Sequence, residues 1–160
     1  MNSGNLILLV EDSEEDILLF TDALNRSGLG NPVRVVRDGV EAIAYLTGQV
    51  PFSDRKSFPP PKVLLLDLTL PKMSGWEVLQ WVRSNPQFKG LLVVVLTASL
   101  MATDLQRAYQ MGANSFLAKP CRPEDLQDLA KGFPEHWSGA RDASRKTNGG
   151  TDGRSRLTLL

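Results

Sequence analysis

The stretch VLLLDLTLPKMSG, residues 63–75, decides the fold. Its aliphatic run leads into Asp67, and prolines stand on both sides, at 59–61 and at Pro71. A short apolar run with such boundaries indicates a strand that is buried on both faces of a sheet. In an open parallel sheet, ligands bind at the carboxyl ends of the strands, which is where Asp67 lies. Taken alone, the stretch fits a structural role for Asp67, such as capping the next loop, as well as a chemical one.

The composition is that of one globular domain with its own core. The chain has 160 residues, of which 42% are hydrophobic and 22% charged. The 18 basic and 18 acidic residues cancel, so nothing in the composition suggests a nucleic-acid partner. A single cysteine, Cys121, excludes an internal disulfide and indicates the reducing cytoplasm. No basic segment precedes the apolar run at 6–10, so we expect neither a signal peptide nor a membrane span.

Strand and helix signals alternate along the whole chain. Strands are predicted at 6–10, 32–36, 63–67, 91–97 and 115–118. Helix N-caps are predicted at Ser13, Asp38 and Ser74, and Pro123 suits the first position of the last helix. Parallel strands joined by right-handed crossovers predict a three-layer α/β/α sandwich.

Apolar residues at helical spacing predict which helix faces pack against the sheet. The predicted stripes are Ile17, Phe20 and Leu24 widened by Leu18 and Leu19; Val40, Ile43 and Leu46; Trp76, Leu79 and Val82; and Leu126, Leu129 and Phe133. The irregular segment 48–61 is interpreted as a solvated insertion. Residues 138–160 have almost no apolar periodicity and are interpreted as disordered.

Polar residues follow most of the predicted strands at one edge of the sheet. They are Glu11 and Asp12, Asp67, Thr97 and Lys119. Carboxylates that lie close together repel one another unless a cation sits among them. They are hard oxygen ligands, and no histidine or cysteine cluster accompanies them in the sequence, which favours Mg²⁺.

These residue types suit phosphoryl transfer. Asp67 is positioned to attack a phosphoryl group and form an aspartyl phosphate. Such a transfer mainly needs neutralisation of charge on the phosphoryl oxygens, which the metal, Lys119 and Thr97 can supply. Taken singly, each residue more often has a structural role: a lysine such as Lys119 is usually solvated, Thr97 would cap a strand end, and Asp12 would cap a helix. Their coincidence on several strand ends favours chemistry.

Four motifs together resemble the receiver domain of two-component response regulators over about residues 5–135. They are Val-Glu-Asp at 10–12, Leu-Leu-Asp-Leu-x-Leu-Pro-x-Met-x-Gly at 65–75, Leu-Thr-Ala at 96–98 and Lys-Pro at 119–120. The resemblance implies the (βα)5, flavodoxin-like receiver fold, with a five-stranded parallel sheet in the order 2-1-3-4-5. Residues 136–160 would form a disordered C-terminal tail.

The resemblance also implies roles for the metal and acceptor residues. Asp67 would be the phospho-acceptor and a metal ligand. Asp12 would bind Mg²⁺ directly, and Glu11 mostly through water. The backbone carbonyl of Thr69 would be the third protein ligand.

Further residues would report the phosphorylated state. Thr97 would be the switch hydroxyl, Phe116 the aromatic switch, and Lys119 the partner of the phosphoryl group, with a cis bond to Pro120. Glu11 departs from the commoner Asp, and Phe116 lacks a hydroxyl, so its switching would rest on packing alone.

The resemblance implies a signalling protein that assists its own phosphorylation and dephosphorylation and is not otherwise an enzyme. No DNA-binding domain fits in 138–160, so the chain looks like a stand-alone receiver, most similar to regulators that serve bacterial phytochromes and hybrid sensor kinases. Its expected partners are a sensor histidine kinase, a downstream protein and a second copy of itself. The last two would bind the surface formed by the last strand and its flanking helices. Nucleic acid and membrane are not expected partners.

Two alternatives remain open at this point. A magnesium-dependent phosphatase with an aspartyl nucleophile would resemble Asp-x-Asp, whereas Asp67 is followed by Leu68 and Thr69. A flavodoxin-like mononucleotide binder needs a Ser, Thr or Gly loop of free N–H groups after the first strand, where this chain has acids between 11 and 16.

Overall fold

A computed structural model describes residues 5–99 and 101–137 of the chain. A single parallel sheet has the strand order β2-β1-β3-β4-β5, which confirms the predicted order. The strands are β1 (Ile7–Val10), β2 (Val33–Val36), β3 (Val63–Asp67), β4 (Leu92–Thr97) and β5 (Ser115–Ala118). The helices are α1 (Glu14–Ser27), α2 (Gly39–Thr47), α3 (Gly75–Ser84), α4 (Ala102–Gln110) and α5 (Pro123–Gly132).

Helices cover both faces of this sheet. Helix α1 packs against α5, and α2 packs against α3. Every residue of β1, β3 and β4 is buried because these strands lie inside the sheet between two helical layers. Arg34 and Val35 of the edge strand β2 are exposed. The α/β/α sandwich is therefore confirmed.

The register of the strands aligns their carboxyl ends. Val10 pairs with Leu66, Asp67 with Leu96, and Thr97 with Ala118. The residues that follow β1, β3, β4 and β5 therefore come together at one edge of the sheet.

The predicted N-caps are confirmed. The side chains of Ser13, Asp38 and Ser74 accept hydrogen bonds from main-chain N–H groups in the first turns of α1, α2 and α3, at 3.2, 2.8 and 3.2 Å. A cap satisfies one of the N–H groups that a helix leaves without a partner in its first turn. These caps start the three helices at the edge of the sheet that carries the polar residues.

Several predicted helix faces were too wide. Leu18 and Leu19 are 62% and 43% exposed, and Val40 is 53% exposed. The buried face of α1 consists of Ile17, Phe20, Ala23, Leu24 and Ser27, and that of α2 consists of Gly39, Ala42, Tyr45 and Leu46. Each residue turns the helix by about 100°, so neighbours of a buried position point away from the sheet.

Two aromatic residues in the predicted stripes lie only partly buried. Phe133 follows the end of α5. Trp76 carries the guanidinium of Arg107 over its ring, 4.0 Å from the centroid, and so links α3 to α4. Trp76 therefore packs between helices and leaves the sheet contact to Val78, Leu79 and Val82.

The segment 48–61 is exposed over most of its length, as expected of a solvated insertion, but its two phenylalanines form an aromatic cluster with Tyr45 of α2. The Tyr45 ring lies 5.0 Å from Phe52 and 6.1 Å from Phe58, centroid to centroid. The Tyr45 hydroxyl donates to the Pro59 carbonyl at 2.9 Å. The Arg55 guanidinium donates to the carbonyls of Leu46, Phe52 and Phe58. These contacts fix the segment against α2.

Residues 136 and 137, the start of the predicted tail, pack onto the domain. Trp137 is 2% exposed, and Asn31 Nδ2 donates to the His136 carbonyl at 3.2 Å. The predicted disorder of 138–160 lies outside the described residues. Within 5–99 and 101–137, none of the helices has the length and apolar character needed to cross a membrane.

Candidate functional site

An open cleft of about 690 Å³ lies at the carboxyl edge of the sheet. Six of the seven predicted site residues line it: Glu11, Asp12, Asp67, Thr69, Thr97 and Lys119. They come from the ends of four strands, spread from position 11 to position 119. The expectation that they meet at one edge is confirmed.

Lys119 and Asp67 face each other in this cleft. Lys119 Nζ donates to Asp67 Oδ2 at 3.1 Å, and the two side chains are 16% and 7% exposed. The Lys119–Pro120 peptide bond is cis, as predicted, and the Lys119 N–H donates to the Thr97 carbonyl at 2.9 Å. The hydrogen bond to Thr97 fixes the main chain just after β5, and the Lys119 ammonium lies at the carboxyl end of β3.

Lys119 contacts further carboxylates. Its Nζ lies 2.8 Å from Glu11 Oε1 and donates to Asp16 Oδ2 at 3.0 Å. Burial lowers the pKa of Lys119, but these contacts with Glu11, Asp16 and Asp67 outweigh burial and raise the pKa above its usual value. Lys119 is therefore a fully charged ammonium at neutral pH.

Three carboxylates converge beside this ammonium. Ligand oxygens of Glu11, Asp12 and Asp67 all lie within 4.8 Å of one another. Glu11 is fully buried, and burial raises its pKa from 4.5 to about 7; Asp67 adds to this rise and Lys119 opposes it. The acids thus repel one another at a cleft in which Glu11 and Asp67 are buried and Asp12 is exposed.

The donor set fits a hard divalent cation. All of the clustered ligand atoms are carboxylate oxygens, which Mg²⁺ prefers. Among the described residues, Glu11 Oε1 accepts no aligned hydrogen bond and makes only the ion pair with Lys119. The Thr69 N–H donates to Asp67 Oδ1 at 3.1 Å, which brings the Thr69 main chain next to the cluster.

Thr97 is held at the cleft by the loop after β4. Its Oγ1 accepts a hydrogen bond from the Ser99 N–H at 2.9 Å. The Ser99 hydroxyl in turn donates to Asp104 Oδ2, in the first turn of α4, at 2.9 Å. The hydroxyl of Thr97 is therefore coupled to the start of α4.

Phe116 is the one predicted site residue that does not line the cleft. It is 8% exposed, lies on β5, and its ring meets the Tyr109 ring of α4 edge to face at 6.4 Å. The buried ring of Phe116 thus packs between the main chain of β5 and helix α4. Its role as a packing switch stays a prediction.

The sequence reasoning missed Asp16. It is absent from the predicted set of site residues, yet its carboxylate accepts a hydrogen bond from Lys119 Nζ at 3.0 Å. Its position was a usable signal, because the first turn of the helix after β1 lies at the same edge as the ends of β1 and β5.

Residues 7–131 match the family described as the response regulator receiver domain, and the chain belongs to this family. The fold, the strand order and the cleft are those expected from the resemblance. The chain is a response regulator by this membership.

The individual relatives include response regulators with known structures. The chain is 37% identical over 136 residues to response regulator Rcp1 of Synechocystis sp. (strain ATCC 27184 / PCC 6803 / Kazusa), covering 85% of this chain and 90% of that protein. The Mn²⁺-bound structure of Rcp1 superposes with a TM-score of 0.66, covering 82% of this chain and 92% of that one.

Two further solved structures are similar. The bacteriophytochrome response regulator RtBRR has a TM-score of 0.75 and 38% identity, covering 90% of each chain. The phosphorylated cyanobacterial phytochrome response regulator RcpA has a TM-score of 0.68 and 37% identity, covering 84% of this chain and 94% of that one. The predicted similarity to phytochrome regulators is confirmed.

The two alternative functions are not favoured. Thr69 stands where the phosphatase would need its second aspartate, and its N–H bonds to the Asp67 carboxylate. After β1, where a mononucleotide binder offers bare N–H groups, the cleft is lined by Glu11, Asp12 and Asp16. Their charge would repel a phosphate group.

Proposed function

We propose that Asp67 is the phospho-acceptor of this response regulator and that a sensor histidine kinase supplies the phosphoryl group in a Mg²⁺-dependent reaction. One observation carries the proposal: Lys119 Nζ lies 3.1 Å from Asp67 Oδ2 in a cleft where the Glu11, Asp12 and Asp67 carboxylates converge. Those three carboxylates and the Thr69 carbonyl would hold the ion. When bound, Mg²⁺ neutralises charge on the transferred group.

The chain's own groups perform the transfer. A carboxylate oxygen of Asp67 forms a bond to phosphorus while the P–N bond to the donor imidazole breaks, and the imidazole keeps the electron pair. Lys119 turns an N–H from a carboxylate to a phosphoryl oxygen and offsets the negative charge there. The chain assists only its own phosphorylation and the later hydrolysis, so it is a signalling protein.

The phosphorylated site is read at a distance. The Thr97 hydroxyl leaves the Ser99 N–H and donates to a phosphoryl oxygen, which releases the loop that starts α4. Phe116 repacks beneath that loop. The surface formed by α4, β5 and α5 then favours a different partner, which is a downstream protein or a second copy of the chain.

The names of its relatives support the choice of kinase. Rcp1, RtBRR and RcpA are similar over most of the chain, and the last two are named as regulators of bacteriophytochrome or cyanobacterial phytochrome. A phytochrome or hybrid histidine kinase in the cytoplasm is the proposed donor, and residues 5–135 are the proposed receiver domain.

The acceptor is tested with acetyl phosphate, a small donor that bypasses the kinase. Intact mass spectrometry of protein incubated with Mg²⁺ should show one added phosphoryl group, and Asp67→Asn and Asp12→Ala should not acquire it. Asp22→Asn is the matched control, because Asp22 is an exposed acid paired with Arg26 on α1. Labelling of Asp67→Asn at the wild-type rate, or full labelling in EDTA, would contradict the proposal.

The kinase class is tested by phosphoryl transfer from a purified, prelabelled bacteriophytochrome. Transfer to wild type and not to Asp67→Asn is expected. Sedimentation of the phosphorylated and unphosphorylated protein checks the proposed dimer, which should form more readily after phosphorylation. Identical sedimentation at all concentrations would exclude self-association as the output.

A further inference from the structure

Asp16 lies outside the predicted set of site residues, yet it contacts the central ammonium. Its Oδ2 accepts a hydrogen bond from Lys119 Nζ at 3.0 Å, and its side chain is 30% exposed. The other acids in the same turn differ. Glu14 is paired with Arg37 on the surface, and Glu15 is exposed. Asp16 is therefore more than a helix-favouring acid, because it links α1 to the end of β5.

The three carboxylates around Lys119 are not equivalent. Glu11 and Asp67 belong to the cluster whose ligand oxygens lie within 4.8 Å of one another, and Asp16 does not. A divalent cation in that cluster would draw on the charge and the lone pairs of Glu11 and Asp67. Asp16 alone would keep its full charge for Lys119.

We infer that Asp16 is a positioning residue, which holds the Lys119 ammonium in place once the ion occupies the carboxylate cluster. An ammonium has three N–H donors. With one directed to Asp16 on α1, the others remain free to reach a phosphoryl group on Asp67. This inference rests on the proposed role of Asp67 and Lys119.

A second effect of Asp16 would act in the opposite direction. Its negative charge also repels an incoming phosphate donor, so its removal could speed labelling. The two effects separate in a pair of variants. Asp16→Asn removes the charge and keeps an acceptor oxygen, whereas Asp16→Ala removes both. Repulsion predicts equal acceleration in the two variants, and positioning predicts a loss in Ala that Asn partly restores.

The first experiment needs no phosphorylation. Wild type and Asp16→Ala are treated with the N-hydroxysuccinimide ester of acetic acid, in EDTA and in saturating Mg²⁺, and acetylation of Lys119 is followed by peptide mass spectrometry. In Mg²⁺, Lys119 of the variant should react roughly tenfold faster than in wild type, the change that corresponds to losing one charge-assisted hydrogen bond. In EDTA the difference should be much smaller, since Glu11 and Asp67 still hold the ammonium.

The controls are built into the same samples. Lys89 is exposed and serves as an internal reference in every digest. Glu15→Ala removes an exposed charge from the same helical turn and should leave the reactivity of Lys119 unchanged. Equal reactivity of wild type and Asp16→Ala in Mg²⁺, or an excess that is the same in EDTA, would overturn the inference. A purely structural defect would give the second of these patterns.

The second experiment measures labelling by acetyl phosphate in saturating Mg²⁺. Asp16→Ala should be phosphorylated roughly tenfold more slowly, below the ~100-fold that a 1 Å misplacement of a reacting group can cost, and Asp16→Asn should lie between it and wild type. Labelling of both variants faster than wild type would overturn the inference.

If the wild-type protein acquires no phosphoryl group, the proposed function is wrong. The acetylation experiment would still decide the role of Asp16. Circular dichroism checks the fold of each variant. If Asp16→Ala does not fold, the Asn variant decides, and wild-type reactivity of its Lys119 in Mg²⁺ would count against the inference.

Discussion

Replacing Glu11 with Gln should stabilise the protein when no divalent cation is present. Glu11 is fully buried, and burial raises its pKa from 4.5 to about 7. One pKa unit corresponds to about 1.4 kcal/mol, so ionising Glu11 inside the fold costs about 3 kcal/mol. This pKa already includes the favourable ion pair with Lys119. Glutamine has the same shape without the charge, so the variant should gain about 3 kcal/mol at about pH 8.

The gain should depend on pH in a defined direction. The pKa of Glu11 is higher in the folded protein than in the unfolded chain, so the folded state binds the proton more tightly. The stability that this proton contributes is fully present below about pH 4.5 and is lost as the pH rises through about 7. The advantage of Glu11→Gln over wild type in unfolding free energy should therefore grow as the pH rises from about 4.5 to about 7, and it should stay constant above that range.

Urea unfolding in EDTA at about pH 5 and about pH 8, followed by circular dichroism, measures this difference. Glu14→Gln is the matched control, because the Glu14 side chain is 67% exposed and removing a charge at the surface should change stability much less. Adding Mg²⁺ should shrink the advantage of Glu11→Gln, since binding stabilises wild type more. A variant less stable than wild type at about pH 8 in EDTA, or a gain independent of pH, would refute the reasoning.

Three other substitutions have expected outcomes. Tyr45→Phe should cost about 1 kcal/mol in urea unfolding, because it leaves the partly buried Pro59 carbonyl without its donor. Arg83→Ala should cost about 3 kcal/mol or more in the same assay, since the guanidinium donates to three carbonyls and one amide oxygen. Gly75→Ala should impair labelling by acetyl phosphate as well as stability, because a Cβ there would overlap the main chain of Asp67.

The sheet could be predicted because its signals are local. A strand buried on both faces is apolar along its whole length, as 63–66 and 92–96 are, and a parallel sheet leaves little freedom in where such strands end. Residues at those ends, such as Asp67 and Lys119, must therefore meet. The site could be predicted for the same reason as the fold.

The errors have a different origin, because they depend on tertiary neighbours. Leu18 and Val40 are apolar, yet nothing in their own segments tells that the sheet lies on another side of the helix. The packing of Phe52 and Phe58 within the otherwise solvated segment 48–61 depends on Tyr45, which lies on α2. Asp16 was hidden because the same residue type serves a helix terminus and a long-range ion pair.

The cleft carries an excess of negative charge that the fold alone does not balance. The cleft is lined by five acids, Glu11, Asp12, Glu15, Asp16 and Asp67, and by one ammonium, Lys119, so its net charge is −4 when all are ionised. A divalent cation reduces this to −2 and relieves the repulsion from Asp67, which adds to burial in raising the pKa of Glu11. Binding of the ion therefore offsets the destabilisation that repulsion between the acids causes in its absence. This accounts for why neutralising Glu11 should stabilise the fold when no divalent cation is present.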